Sequence, residues 1–197
     1  MYAPNINNDE IIKLPRQNFP GEAHVISTQE ELEKWIGVLL QSNIIGFDTE
    51  SKPSFKKGIN NGISLLQLST ENIALIIRVK AIGIPPQLKK LLEDEKTIKV
   101  GAAIRDDIKG LRKIKDFAPK GFVDLQQIAA NFKIEGQSVR KMAAIVLGVR
   151  VSKSQQLSNW ESEQLTTAQI DYAATDAWVC REIFIKLNGI NPTNKAE

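Results

Sequence analysis

Cysteine and histidine each occur once, as Cys180 and His24. A lone cysteine cannot close an internal disulfide, so a reducing, cytosolic (cytoplasmic) compartment is the expected setting. Cys180 itself sits in an apolar, helical context and reads as a small core residue. No apolar run approaches the roughly 18 residues that span a bilayer, so no membrane is expected as a partner. The N-terminus lacks the basic start and apolar centre of a signal peptide. There is no internal repeat and no low-complexity tract. Neither sign of charge dominates: 26 basic residues against 23 acidic ones leave a net +3. Such a balance permits a polyanionic partner without arguing for one. Within these limits the composition is ordinary. With 42% hydrophobic and 25% charged residues, 197 residues suit one globular domain with or without tails.

Residues 1–20 carry Asn5, Asn7, Asn8, Pro4 and Pro15 with no apolar period, and read as an N-terminal arm. His24-Val25-Ile26 predicts a first strand. Ser27 or Thr28 then caps a helix, with Thr28 and Glu31 at capping-box spacing and Leu32, Trp35, Ile36, Leu39 and Leu40 on its inner face. Residues 51–61, with Lys52, Lys56 and Lys57, are expected to be a loop or lid. Strands are expected over 63–69, 73–77, 98–101 and 122–123, and helices over 86–92, 105–114, 124–131 and 138–147, the last stopped by Gly148. Thr166 and Gln169 make a second capping box, opening a long helix to about Leu187. A domain over 21–188 and a polar tail over 189–197 follow. Three strands precede the first long connection, and strands and helices alternate afterwards. That order predicts an α/β fold with a mixed sheet flanked by helices.

The stretch Ile44-Ile45-Gly46-Phe47-Asp48-Thr49-Glu50 reads as an apolar strand ending in two acids. Alternation puts Asp48 and Glu50 on one face, roughly 7 Å apart, with Ile45, Phe47 and Thr49 on the other. Two such carboxylates repel each other and are costly to desolvate. A hard divalent cation between them would relieve both costs, and oxygen ligands suit magnesium or manganese. A strand that simply runs out into solvent is the plainer explanation of the same letters. Farther on, Asp106 and Asp107 open a helix, where acids are favourable with the helix dipole in any case. Near the C-terminus Tyr172 and Asp176 share a helix face, and Asp171 lies on a different, solvated one. Ala173 and Ala174 would let that helix lie close to another element.

Taken together, GFDTE, VGAAIRDD and DYAATD form an ordered set that resembles the three motifs of the DEDD 3′–5′ exonuclease superfamily, in its tyrosine-bearing branch. The likeness covers about residues 22–187. It extends to Phe122-Val123-Asp124-Leu125, Lys153, Ser158-Asn159-Trp160, and Leu165 with Gln169. Within the superfamily the chain resembles the exonuclease domain of the Werner syndrome helicase and ribonuclease D. The histidine branch places its base five residues before the last Asp. That position here is Asp171, and His24 is far from the motif.

The resemblance implies a ribonuclease H-like sheet of five to six strands. It also implies two divalent metal ions, Mg2+ or Mn2+, held by Asp48, Glu50, Asp107 and Asp176. Tyr172 would orient the attacking water, and its ordinary pKa near 10 makes it a weak base at neutral pH. The partner is then a DNA or RNA 3′ end, cut to nucleoside 5′-monophosphates. Lys52, Lys56 and Lys57 follow the acidic strand and could touch phosphates, as could Lys109 and Lys153, without reading sequence. Trp160 is expected as a core plug in its loop. Lys109 stands where the Werner domain has a tryptophan, so a preference for duplexes is not carried over. The chain ends ten residues past the last expected helix, which leaves no room for the extra domains of ribonuclease D, so DNA is modestly favoured over RNA trimming. A non-catalytic nucleic-acid-binding protein on the same fold is the competing class. Retention of all four acids and the tyrosine weighs against it.

Overall fold

The computed structural model describes residues 2–54 and 61–189. Lys56, Lys57 and the tail from 190 onward lie outside them. Among the described residues, thirteen helices and strands precede a π-helical turn and one long final helix. Helix α1 (Asn8–Lys13) comes first, then strand β1 (Glu22–Ile26), helix α2 (Gln29–Leu40), and strands β2 (Ile44–Glu50), β3 (Leu65–Ser69) and β4 (Ile73–Ile77). Helices α3 (Val79–Ile82) and α4 (Pro86–Glu93), strand β5 (Ile98–Gly101), helix α5 (Arg105–Ile114) and strand β6 (Phe122–Asp124) follow. Helices α6 (Leu125–Asn131) and α7 (Val139–Met142) precede α8 (Thr167–Leu187).

The six strands form one mixed sheet in the order β1-β4-β3-β2-β5-β6. β3 runs antiparallel to both of its neighbours, and the remaining pairs are parallel. This is the α/β sheet flanked by helices that the element order predicted. Side-chain alternation divides its faces. Ile45, Phe47, Leu66, Leu68, Leu75 and Ile77 pack with α2, α4 and Leu111 of α5 on one side. On the other side, Val179, Cys180 and Ile183 of α8 pack with α6, α7 and Val100, and Tyr172 and Ala173 with Leu65, Ile76 and Trp160. Both capping boxes form as expected, at Thr28 with Glu31 and at Thr166 with Gln169. Each satisfies two of the amide donors left orphaned at its helix start.

Three local departures matter. Residues 1–20 hold a helix, α1, closed by a capping box between Asn7 and Glu10 and pinned by the fully buried Ile11. One inward residue leaves no apolar period for the sequence to show. The single helix expected over 138–147 is instead α7 followed by a π-helical turn over Ala143–Leu147. Gly148 ends it at φ +70°, the left-handed geometry that glycine adopts without penalty. Finally, α3 is a short helix the sequence reading did not include.

Candidate active site

The site depends on how closely α8 can lie on β2. A Cβ added at Gly46 would stand 1.8 Å from the Ala177 carbonyl oxygen. Only a residue without a side chain fits there. Gly46 shares a strand face with Asp48 and Glu50, so the helix that touches Gly46 also covers the two acids. Tyr172 and Asp176 stand one turn apart on the inner face of that helix, and Asp171 is exposed beside them. Carboxylate oxygens of Asp48, Glu50 and Asp176 lie within 4.8 Å of one another.

Such proximity is electrostatically unfavourable without a cation. Burial raises the Asp48 carboxyl well above the usual carboxylate range, and the charges of Asp176 and Asp107 push it further. Burial, with Asp48 and Asp176 beside it, raises Glu50 to about 9. Asp176 rises to about 7 through burial, partly offset by the Tyr172 hydroxyl and the Lys153 charge. The donor set is all oxygen, part-buried and anionic. It fits a hard divalent cation such as magnesium or manganese and offers nothing soft.

Asp107 is not one of the three clustered acids. It enters from the start of α5, where the Thr49 hydroxyl donates to its Oδ1. Burial raises its carboxyl as well, and that hydrogen bond opposes the rise. Asp106 is exposed, so Asp107 is the inward acid of the pair. The turn that aims α5 is unusual. Ala103 sits at φ +58°, a left-handed conformation uncommon for a residue with a side chain. Its amide donates to Asp124 Oδ1, which also accepts from Gln126 at the start of α6. Asp124 thus fixes both the turn and the next helix.

The three lysines fall differently. Lys153 is near enough for its charge to be felt at Asp176. Lys109 lines a cleft of about 720 Å³ on the α5 side, together with Asp107, Lys113, Lys80, Ile63 and Ser51. Lys52 is turned to Glu161, 3.5 Å away, which also binds Lys80. Trp160 is the plug expected of it, fully buried with its ring 5.8 Å from that of Tyr172. A second, smaller cavity of about 80 Å³ opens beside Tyr172 and Asp176, and Arg16 and Asn18 from the N-terminal segment line it.

Sequence reasoning included Gly46, Thr49 and Asp124 in its motifs without giving them a role, and did not single out Arg16. Gly46 was open to inference, since a glycine two residues before an acid on the same strand face marks a close approach. The others leave no trace in spacing. Among the described residues, no helix is long and apolar enough to cross a membrane.

Comparisons with known proteins agree with this geometry. A family described as 3′-5′ exonuclease matches residues 23–190. The mouse bifunctional 3′-5′ exonuclease/ATP-dependent helicase WRN is 32% identical over 201 residues, covering 93% of this chain and 14% of its own length. The chain spans less than half the length of this and two further curated relatives. The Nibbler EXO domain of Aedes aegypti superposes with a TM-score of 0.78 at 23% identity, over 88% of this chain and 91% of that one. Escherichia coli RNase D, an exoribonuclease involved in structured RNA processing, gives 0.77 at 24% identity over 85% and 44%. On the family match and the acids it encloses, this chain belongs to the 3′-5′ exonuclease family of hydrolases.

Proposed function

We propose that the chain removes nucleotides one at a time from the 3′ end of a nucleic-acid strand, releasing nucleoside 5′-monophosphates, as a tyrosine-branch member of its family. The observation that carries this is the three-carboxylate cluster beneath Tyr172. Asp48, Glu50 and Asp176 would hold one divalent cation. Asp107, steadied by Thr49, would hold a second together with Asp48. When bound, two such ions activate water for attack and offset charge on the leaving 3′ oxygen.

The residues around them do the positioning. Burial and the neighbouring charges of Asp176 and Glu50 push the Tyr172 phenol above its ordinary range. It therefore stays protonated and orients the attacking water by hydrogen bonding, not by taking its proton. Exposure of Asp171, at the place a histidine-branch base would occupy, supports the tyrosine assignment. Lys109 and the cleft beside Asp107 offer room for the terminal nucleotide. Lys153 places a positive charge near Asp176, where the scissile phosphate has to come.

DNA is modestly favoured over RNA in this reading. RNA trimming is the second reading, because the fold is shared with RNase D. The carboxylates would act at the phosphate and not at the sugar, so matched DNA and RNA oligomers decide between them.

Asp48→Asn and Asp176→Asn test the activity itself, on a 3′-labelled single strand with magnesium or manganese. Each should abolish release of monophosphates while the fold persists. Undiminished degradation in either variant would remove this function, and a protein that binds strands but no manganese would be the non-catalytic alternative.

A further inference from the structure

The segment preceding β1 lies outside the matched family region, yet it reaches the active site. Gln17 N donates to the Arg150 carbonyl at 3.0 Å, Arg150 N to Pro15 O at 2.9 Å, and Arg150 Nε to Leu14 O at 3.0 Å. Phe19 N donates to Thr175 Oγ1 at 2.9 Å, and the Phe19 ring packs on Trp178. Ile11 anchors the other end in the core. Residues 11–19 are therefore a strap fastened at both ends, not a loose tail.

The strap forms one wall of the 80 Å³ cavity whose opposite wall is Tyr172 and Asp176. Arg16 and Asn18 come from the strap, and Ser152 and Ser154 from the loop it clamps. Lys153 lies between those serines. Arg16 is exposed, its Nε donates to Asn18 Oδ1 at 3.3 Å, and it makes no ion pair among the described residues. The volume is too small for a nucleobase and suits a phosphate group with its ester oxygens. Asp171 and Asp176 line the same cavity, so Arg16 and the nearby Lys153 balance them, and the cation that Asp176 would help hold tips the site towards an anion.

We propose that the strap is a wall of the substrate channel and that Arg16 holds the backbone phosphate neighbouring the scissile one. This rests on the exonuclease reading for the direction of the strand, but not for binding itself. A planar guanidinium can grip phosphate oxygens in pairs, and the Ser154 hydroxyl, which accepts from Ser152 Oγ, keeps its own proton to donate without reading the base.

The test is binding of a labelled oligothymidylate by fluorescence anisotropy, over a range of salt and with calcium in place of the catalytic metal. Arg16→Gln should raise Kd about tenfold and reduce the slope of log Kd against log salt by about 0.7, one single-strand phosphate contact. Arg16→Lys should keep the slope, and the melting temperature should not move in either variant. Wild-type Kd and slope in Arg16→Gln would overturn the assignment. So would equal loss in both variants with a lowered melting temperature, which marks a structural arginine. Hydrolysis in manganese is measured separately. A wild-type protein that binds with the Arg16-dependent slope yet cuts nothing supports the strap and retires the exonuclease reading.

Discussion

Replacing Gly46 by alanine tests the central packing argument. The new methyl group would meet the Ala177 carbonyl oxygen at 1.8 Å and its carbon at 2.6 Å. Both are backbone atoms of α8, so no side-chain rotation can relieve the clash. The helix has to retreat from β2 by at least about 1.2 Å, because carbon and oxygen do not approach within about 3 Å. Overpacking of this kind costs about 2 kcal/mol, equivalent to a fall of about 4–8 °C in Tm for a chain of this length. The same retreat carries Asp176 and Tyr172 away from Asp48 and Glu50. A displacement near 1 Å is worth about 100-fold in turnover. Calorimetry, manganese titration and single-strand hydrolysis should therefore all change together. Gly37→Ala is the control. Its added Cβ meets nothing within 4 Å on the exposed side of α2, and it should stabilise the protein by about 0.5 kcal/mol. Gly46→Ala with wild-type melting temperature and wild-type manganese affinity would refute the claim that this glycine sets the spacing of the acids.

Metal and pH should be linked through the raised carboxyls. The folded protein keeps a proton on Glu50 until about pH 9, whereas the unfolded chain releases it near 4.5. Metal-free stability is therefore full below the lower value and declines as pH rises towards the higher one. The gain in Tm on adding magnesium should accordingly be larger at about pH 8 than at about pH 5, and a gain independent of pH would contradict the repulsion described. Tyr172→Phe should lower turnover about 100-fold while leaving manganese affinity nearly unchanged; loss of metal binding in that variant would give the hydroxyl a ligand's role instead. Thr49→Val should weaken the contribution of Asp107, lowering metal affinity about tenfold with little change in Tm. Trp160→Ala should cost about 3–5 kcal/mol, as expected for emptying a fully buried indole site, measured by urea unfolding.

Much of the chain was legible from local rules. The two capping boxes, the acidic strand, the α5 start and the length of α8 all follow from short-range spacing, where backbone geometry leaves few choices. Alternation along β2 was enough to pair Asp48 with Glu50, and helical period was enough to pair Tyr172 with Asp176. The ordered motifs joined these pairs into an expected site. Distances between them were beyond reach, because they depend on elements far apart in the chain. Contact between Gly46 and Ala177 sets one of those distances, and the hydrogen bond from Thr49 sets another, holding Asp107 apart from the clustered acids. The same holds for Arg16. Residues 1–20 show no period because a single isoleucine and a few backbone hydrogen bonds fasten them, and those bonds carry no sequence signature. Sequence determined which side chains make up the candidate site. Tertiary packing alone decided how far apart they stand and which neighbours, strap included, close around them.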